Sequence, residues 1–164
     1  NLSYMRVLEA NRKIEYSHPP YEKYKSTGRF VFRDYDNSEI EKLIDIVSNR
    51  AEGAYYTAIS FYGLVGAVKD VHKNSSAFYY RDARFIMGIQ SVWEDDIFAE
   101  ENIKWIKNNF KYIESITTGS FINFPFKDLK DYEEEYYGEN KDKLREIRKK
   151  YDEDKFFAFE QGIK

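Results

Sequence analysis

Apolar and polar positions alternate along the chain in two different rhythms. Leu2, Met5 and Leu8, with Val7 beside them, fall three to four residues apart and predict a helix. The Pro19-Pro20 pair, flanked by Tyr16, Tyr21 and Tyr24, ends it and imposes an extended stretch. Over residues 28–35 the rhythm changes to two: Phe30 and Phe32 alternate with Val31 and Arg33 in a β-favouring run, which predicts a strand. Ser38-Glu39-Ile40-Glu41 then spells a capping box, and Ile40, Leu43, Ile44 and Val47 follow at helical spacing. Residues 54–62 predict a second strand, and Gly63 and Gly66 just after it predict a tight turn or a close approach. Asn74-Ser75-Ser76 is a turn signal; residues 77–81 and 85–93 read as paired strands around Asp82-Ala83-Arg84.

Asp95 and Asp96 are suited to cap the next helix, with Glu100 and Glu101 in its first turn and Ile103, Ile106, Phe110 and Ile113 as its buried stripe. Thr117-Thr118-Gly119-Ser120 breaks it. Residues 121–126 read as extended, which places Phe121 and Asn123 on one face and Ile122 and Phe124 on the other. Leu129, Tyr132 and Tyr136 line a short helix that Gly138 terminates; Asn140 caps another, lined by Leu144, Ile147 and Tyr151. The order mixes strands and helices without βαβ regularity. It predicts an α+β fold: an antiparallel sheet with helices packed on one face and a C-terminal helical tail.

Composition narrows the function. The chain has 164 residues, 34% of them charged and 42% hydrophobic, enough apolar residues for a core. A net charge of −3 disfavours nucleic-acid binding, and no apolar run suits a membrane span. With no cysteine there is no disulfide, thiolate site or catalytic thiol, which suits a cytoplasmic setting. His18 and His72 are the only histidines, too few for a histidine zinc site. Both read as exposed loop residues. Asp95-Asp96 and Glu133-Glu134-Glu135 read as helix caps and surface, so no metal site is expected. Dinucleotide loops, phosphate loops, HExxH and GxSxG are absent. What stands out is 18% aromatic residues, with 15 Tyr and 13 Phe.

The ordered motifs of the last third carry more. They are Phe121-Ile122-Asn123-Phe124, then Asp128-Leu129, then Tyr136-Tyr137-Gly138 with Asn140, then Leu144, Ile147, Lys150-Tyr151-Asp152, and a closing Phe157, Gln161 and Ile163. Upstream stand Tyr62-Gly63, Ala77-Phe78-Tyr79-Tyr80-Arg81, and Ile89-Gln90 with Trp93. Together they resemble the C-terminal part of the berberine-bridge-enzyme-like family of FAD-linked oxidases, over about residues 26–164.

That resemblance implies residues 1–115 as the later part of a substrate domain and 116–164 as the family's C-terminal segment. The FAD-binding domain is expected outside this chain, in the same protein or a partner chain. It implies FAD as cofactor and a small-molecule substrate, an alcohol or sugar, oxidised by hydride transfer to flavin. Asn123 and Phe121 are the expected cofactor-facing residues. Gln90 is expected to orient substrate, with Tyr62 and Tyr80 (and Trp93) lining the pocket. The family's catalytic tyrosine falls at Phe121, and a phenyl ring cannot take a proton. The alternative is therefore a non-catalytic relative that serves as a binding or interaction module. Self-association is expected where a partner domain would otherwise cover apolar surface.

Overall fold

The computed structural model describes residues 3–16 and 23–164. The predicted break at Pro19-Pro20, along with Leu2, His18 and Tyr21, lies outside the described residues. The first helix, α1 (Val7–Glu15), has an apolar and a polar side but buries no residue.

Four strands form one antiparallel sheet: β1 (Lys23–Val31), β2 (Ala54–Gly63), β3 (Phe85–Trp93) and β4 (Thr118–Ser120), in the order β2-β3-β1-β4. The first strand begins five residues earlier than the alternation alone suggests, because Lys23 to Thr27 pair in register with β3. Residues 77–81 are not a strand. Their aromatics are used in a side cluster, where Tyr80 stacks on Phe30 at 4.4 Å and the chain turns through an Arg81 N–H to Tyr79 carbonyl bond of 2.8 Å. β3 pairs instead with β1 and β2.

Helices α2 (Asn37–Ser48) and α3 (Ala99–Ser115) cover one face. The cap of α2 is Asp36, not Ser38: its carboxylate accepts the Glu39 N–H at 2.8 Å, and Glu39 accepts the Asp36 N–H at 3.0 Å. Val31, Met87 and Ile89 point from the sheet into a core completed by Leu43, Ile46, Ile106, Phe110 and Ile113. On α3, Ile103 is only half-buried, whereas Asn102 is fully buried. Asn102 is satisfied there: it accepts from Ser91 Oγ at 2.6 Å and donates to the Glu52 and Phe98 carbonyls.

The C-terminal tail comprises α4 (Tyr132–Tyr137), a single 3-10 turn (Gly138–Asn140) and α5 (Lys141–Tyr151). Gly138 has φ +50, and a Cβ there would stand 2.4 Å from the Tyr79 ring. Asn140 does not cap α5 with its side chain. Its amide donates to the Lys73 and Ser76 carbonyls at 2.7 and 3.1 Å and pins the 73–77 loop. The tail ends in a polar clasp. Tyr136 donates to Gln161 Oε1 at 2.7 Å and accepts the Phe126 N–H at 3.1 Å, and Gln161 donates to the Phe126 carbonyl at 2.9 Å.

Candidate functional site

Residues paired across antiparallel strands share a face. The register Tyr24–Val92–Tyr56, Ser26–Gln90–Ala58, Gly28–Gly88–Ser60 and Phe30–Ile86–Tyr62 therefore sets out the helix-free face row by row. Its two middle rows carry small or polar side chains. Such rows leave a floor close to the backbone, and the outer rows raise aromatic walls at either end. The result is an open groove of about 610 Å³, within the ~300–1,000 Å³ range of small-molecule sites.

Tyr24, Ser26, Tyr56, Ser60, Tyr62 and Gln90 line the groove from the sheet, and Asn123, Phe124 and Pro125 close it from a loop. That loop is a turn, not the extended segment expected. The Phe124 N–H bonds the Phe121 carbonyl at 2.9 Å, and the Phe121 and Phe124 rings meet edge to face at 5.3 Å. Phe121 and Asn123 consequently do not share a face. Phe121 packs against the cluster of Phe30, Tyr80, Ala83 and Ile86, and Ile122 against the main core. Asn123 is exposed at the groove. The loop is tied to the sheet edge by the Phe121 N–H, which donates to the Gly28 carbonyl at 2.8 Å.

The structure thus brings Tyr62, Gln90 and Asn123 together and leaves Phe121 and Tyr80 out of the groove. Tyr80 is buried, its hydroxyl donates to the Glu134 carbonyl at 3.0 Å, and burial raises its phenol well above the ordinary range. Trp93 is buried at the end of β3. Gln90 is held in place: its Nε2 donates to the Tyr56 hydroxyl at 2.5 Å. Tyr56, Tyr24, Ser26 and Ser60 were not singled out from the sequence. The two-residue period of β2 held the signal for Tyr56 and Ser60, since both lie an even number of residues from Tyr62.

His72 is exposed and accepts the Asn74 N–H at 3.2 Å through Nδ1. The three glutamates of α4 serve the fold: Glu133 pairs with Arg145, Glu134 with Lys141, and Glu135 with the buried Arg29. Arg29 also donates to Thr117 and Ser120 hydroxyls at 3.0 and 2.9 Å, which locks β1, β4 and α4 together. Among the described residues no cluster of His, Asp and Glu could hold a metal ion, and no helix is long and apolar enough to cross a membrane.

The sequence pattern of the berberine and berberine-like family matches residues 120–164. An uncharacterized FAD-linked oxidoreductase of Bacillus subtilis strain 168, YgaK, is 28% identical over 145 residues, covering 87% of this chain and 31% of that protein. The chain therefore spans about a third of that relative's length. Among solved structures, the BBE-like protein 28 of Arabidopsis thaliana superposes with a TM-score of 0.79 at 17% identity, over 87% of this chain and 34% of that one. The glycopeptide hexose oxidase DBV29, solved with teicoplanin, gives a TM-score of 0.76 at 21% identity, over 89% and 32% respectively. At these identities the structural likeness speaks to fold.

Proposed function

The chain belongs to the berberine-bridge-enzyme-like family of FAD-linked oxidoreductases, and from that premise we propose that its helix-free sheet face holds an alcohol or sugar-like substrate for oxidation against a flavin. One observation carries the reading. Beside the apolar cluster that covers Phe30 and Ile86, the face opposite the helices opens into a groove with a low polar floor and aromatic ends. Aromatic rings suit the C–H faces of a sugar, and amides and hydroxyls suit its hydroxyl groups. Gln90 and Asn123 supply amides, Ser26 and Ser60 hydroxyls, and Tyr24, Tyr62 and Phe124 rings. The structural neighbour described as a hexose oxidase supports a sugar as the substrate class.

The groove also suits the flat end of a flavin. Gly88 in the middle row keeps the floor low, with a Cβ there meeting only Tyr62 at 3.5 Å as its nearest neighbour. Asn123 and Gln90 would hold the ring through their amides. When bound, oxidised flavin supplies a two-electron hydride acceptor. The sequence carries no phosphate-cradling motif for the rest of the cofactor, so that part would be held by a domain or partner outside these residues.

The test uses the 164-residue chain with riboflavin and glucose as probes, followed by side-chain amide NMR. The expected result is a colourless purified chain whose Gln90 and Asn123 amides shift on adding both probes. A yellow chain with stoichiometric flavin, or shifts confined to the helix side, would overturn the assignment. A second reading, a non-catalytic binding module, is favoured by Phe121, a phenyl ring at the position where the family resemblance implies the catalytic tyrosine. Glucose-induced shifts without flavin reduction by rapid mixing, in a protein that also carries the flavin domain, would favour it.

A further inference from the structure

We propose a second small-molecule site, on the helix side of the sheet and independent of the groove. It is the pocket between α3 and the turn after Pro125, and it takes a flat aromatic carboxylate between Lys111 and Lys130. The pocket measures about 480 Å³, within the ~300–1,000 Å³ range of small-molecule sites. Its helix wall follows from the sequence. Lys107, Phe110, Lys111 and Glu114 fall at i, i+3, i+4 and i+7 of α3 and share one face. Phe126, Leu129 and Lys130 of the turn form the wall opposite.

The floor is aromatic and fixed. Phe110 and Phe126 are buried, their ring centroids 4.3 Å apart and their planes 35° from parallel. Phe126 is tied through both of its backbone groups. Its N–H donates to the Tyr136 hydroxyl at 3.1 Å, and its carbonyl accepts from Gln161 Nε2 at 2.9 Å. The same carbonyl accepts the Leu129 N–H at 3.2 Å, which sets the turn. A wall held in this way needs little ordering when a ligand enters, and that lowers the cost of binding. A flat aromatic ring meets the exposed edges of such a floor with the offset or edge-on contacts that aromatic rings prefer.

Charge selects an anion. Most charged groups of the lining are already engaged. Lys107 pairs with Asp128 at 3.1 Å, Glu135 pairs with the buried Arg29, and the Asp131 carboxylate accepts the Glu134 N–H at 3.4 Å as the cap of α4. Lys111, Lys130 and Glu114 form no ion pair among the described residues. A further ammonium stands at the floor. Lys25 pairs in register with Ser91, whose hydroxyl bonds Asn102 of α3, so Lys25 lies on the helix side. Its Nζ is 5.0 Å from the centre of the Phe126 ring. Three ammonium groups against one carboxylate favour a negative ligand, and Lys111 and Lys130 approach it from the two walls.

The test uses the 164-residue chain and three probes of one shape: naphthoate, the neutral naphthamide and the cation naphthylmethylammonium, each followed by its fluorescence. The expected result is saturable naphthoate binding with a dissociation constant below about 1 mM, weaker binding of the amide and the weakest of the cation. Lys111→Gln and Lys130→Gln each weaken naphthoate about threefold, the scale of an exposed ion pair, and leave the amide unchanged. Glu114→Gln strengthens naphthoate by a similar factor. Lys104→Gln removes the same charge from α3 outside the pocket and leaves binding as it was. These side chains are exposed, and a thermal melt of each variant establishes that it is folded. No saturation in that range overturns the site. So does an amide or cation that binds as tightly as naphthoate, or a loss in Lys104→Gln equal to that in Lys111→Gln. Naphthoate binding undiminished in Lys111→Gln/Lys130→Gln would place the probe elsewhere on the chain and overturn it as well.

Discussion

At the scale of single residues, two glycines of one row make opposite predictions. Gly28 is buried, and a Cβ there would stand 2.8 Å from Phe124 Cδ2 and 3.3 Å from Ile86 Cγ2. Gly28→Ala is expected to cost about 1–3 kcal/mol through overpacking, and to push Phe124 out of the groove wall. Gly88 opposite has no neighbour nearer than 3.5 Å. Gly88→Ala is expected to stay within about 0.5 kcal/mol of the parent chain, yet to weaken probe binding by raising the groove floor. Thermal melts beside riboflavin and glucose titrations check both; a Gly88→Ala chain that binds as the parent does would take this row out of the site. Legibility at this scale followed the same division. Tyr62, Gln90 and Asn123 were found because each stands inside an ordered motif. Tyr24 and Ser26 were missed because their part of β1 has no apolar alternation: Lys23, Lys25 and Ser26 are polar, and only pairing with β3 makes that stretch a strand.

At the scale of elements, helices were legible where one face repeats, as in α3 with Ile106, Phe110 and Ile113. The helix α2 is where its spacing puts it, but of the expected stripe of Ile40, Leu43, Ile44 and Val47 only Leu43 is buried; Ile46 is buried beside it, and Ile40 and Ile44 are exposed. Aromatic-rich segments misled. Residues 77–81 and 121–126 have strand-like composition, but their rings are satisfied by packing on Phe30 and on one another, so no ladder is needed. The tail shows what holds such a segment. Glu133 is buried; it accepts from Arg145 Nη2 at 2.5 Å and from the Lys164 N–H at 2.8 Å. Burial pushes its carboxyl up, but the Arg145 guanidinium and the Lys164 amide outweigh this and hold it below the usual range. A carboxyl lowered by folding stabilises above its unfolded value of about 4.3, and that contribution is lost as pH falls through the lower folded value. Glu133→Gln is therefore expected to cost about 2 kcal/mol at pH 7. The gap should close under acid conditions. Urea melts at neutral and acid pH read it, and an equal gap at both would mean that charge plays no part in docking the tail.

At the scale of the whole molecule, three apolar surfaces lie uncovered among the described residues. On α1, Val7, Leu8 and Ile14 are exposed, and in the tail so are Phe156, Phe157 and Phe159. The third lies along β2, the end strand of the sheet among the described residues. Beside it Ile40 and Ile44 of α2, with Tyr35 and Phe61, line an apolar groove of about 400 Å³. An apolar groove next to an open strand edge can add another strand and bury its side chains in one step. The isolated chain is accordingly expected to self-associate as its concentration rises, through this edge. Ile44 and Phe61 are 57% and 47% exposed, so replacing both with lysine removes little buried area. Stability should change by about 1 kcal/mol or less, and charge on an edge opposes pairing. Sedimentation over a range of concentrations, with the parent chain beside Ile44→Lys/Phe61→Lys, separates the outcomes. Association in the parent that falls away in the double variant places the contact at β2. Equal association in both moves it to α1 or to the phenylalanines of the tail, whose own substitutions would then be measured. A parent chain that stays monomeric at high concentration removes self-association altogether.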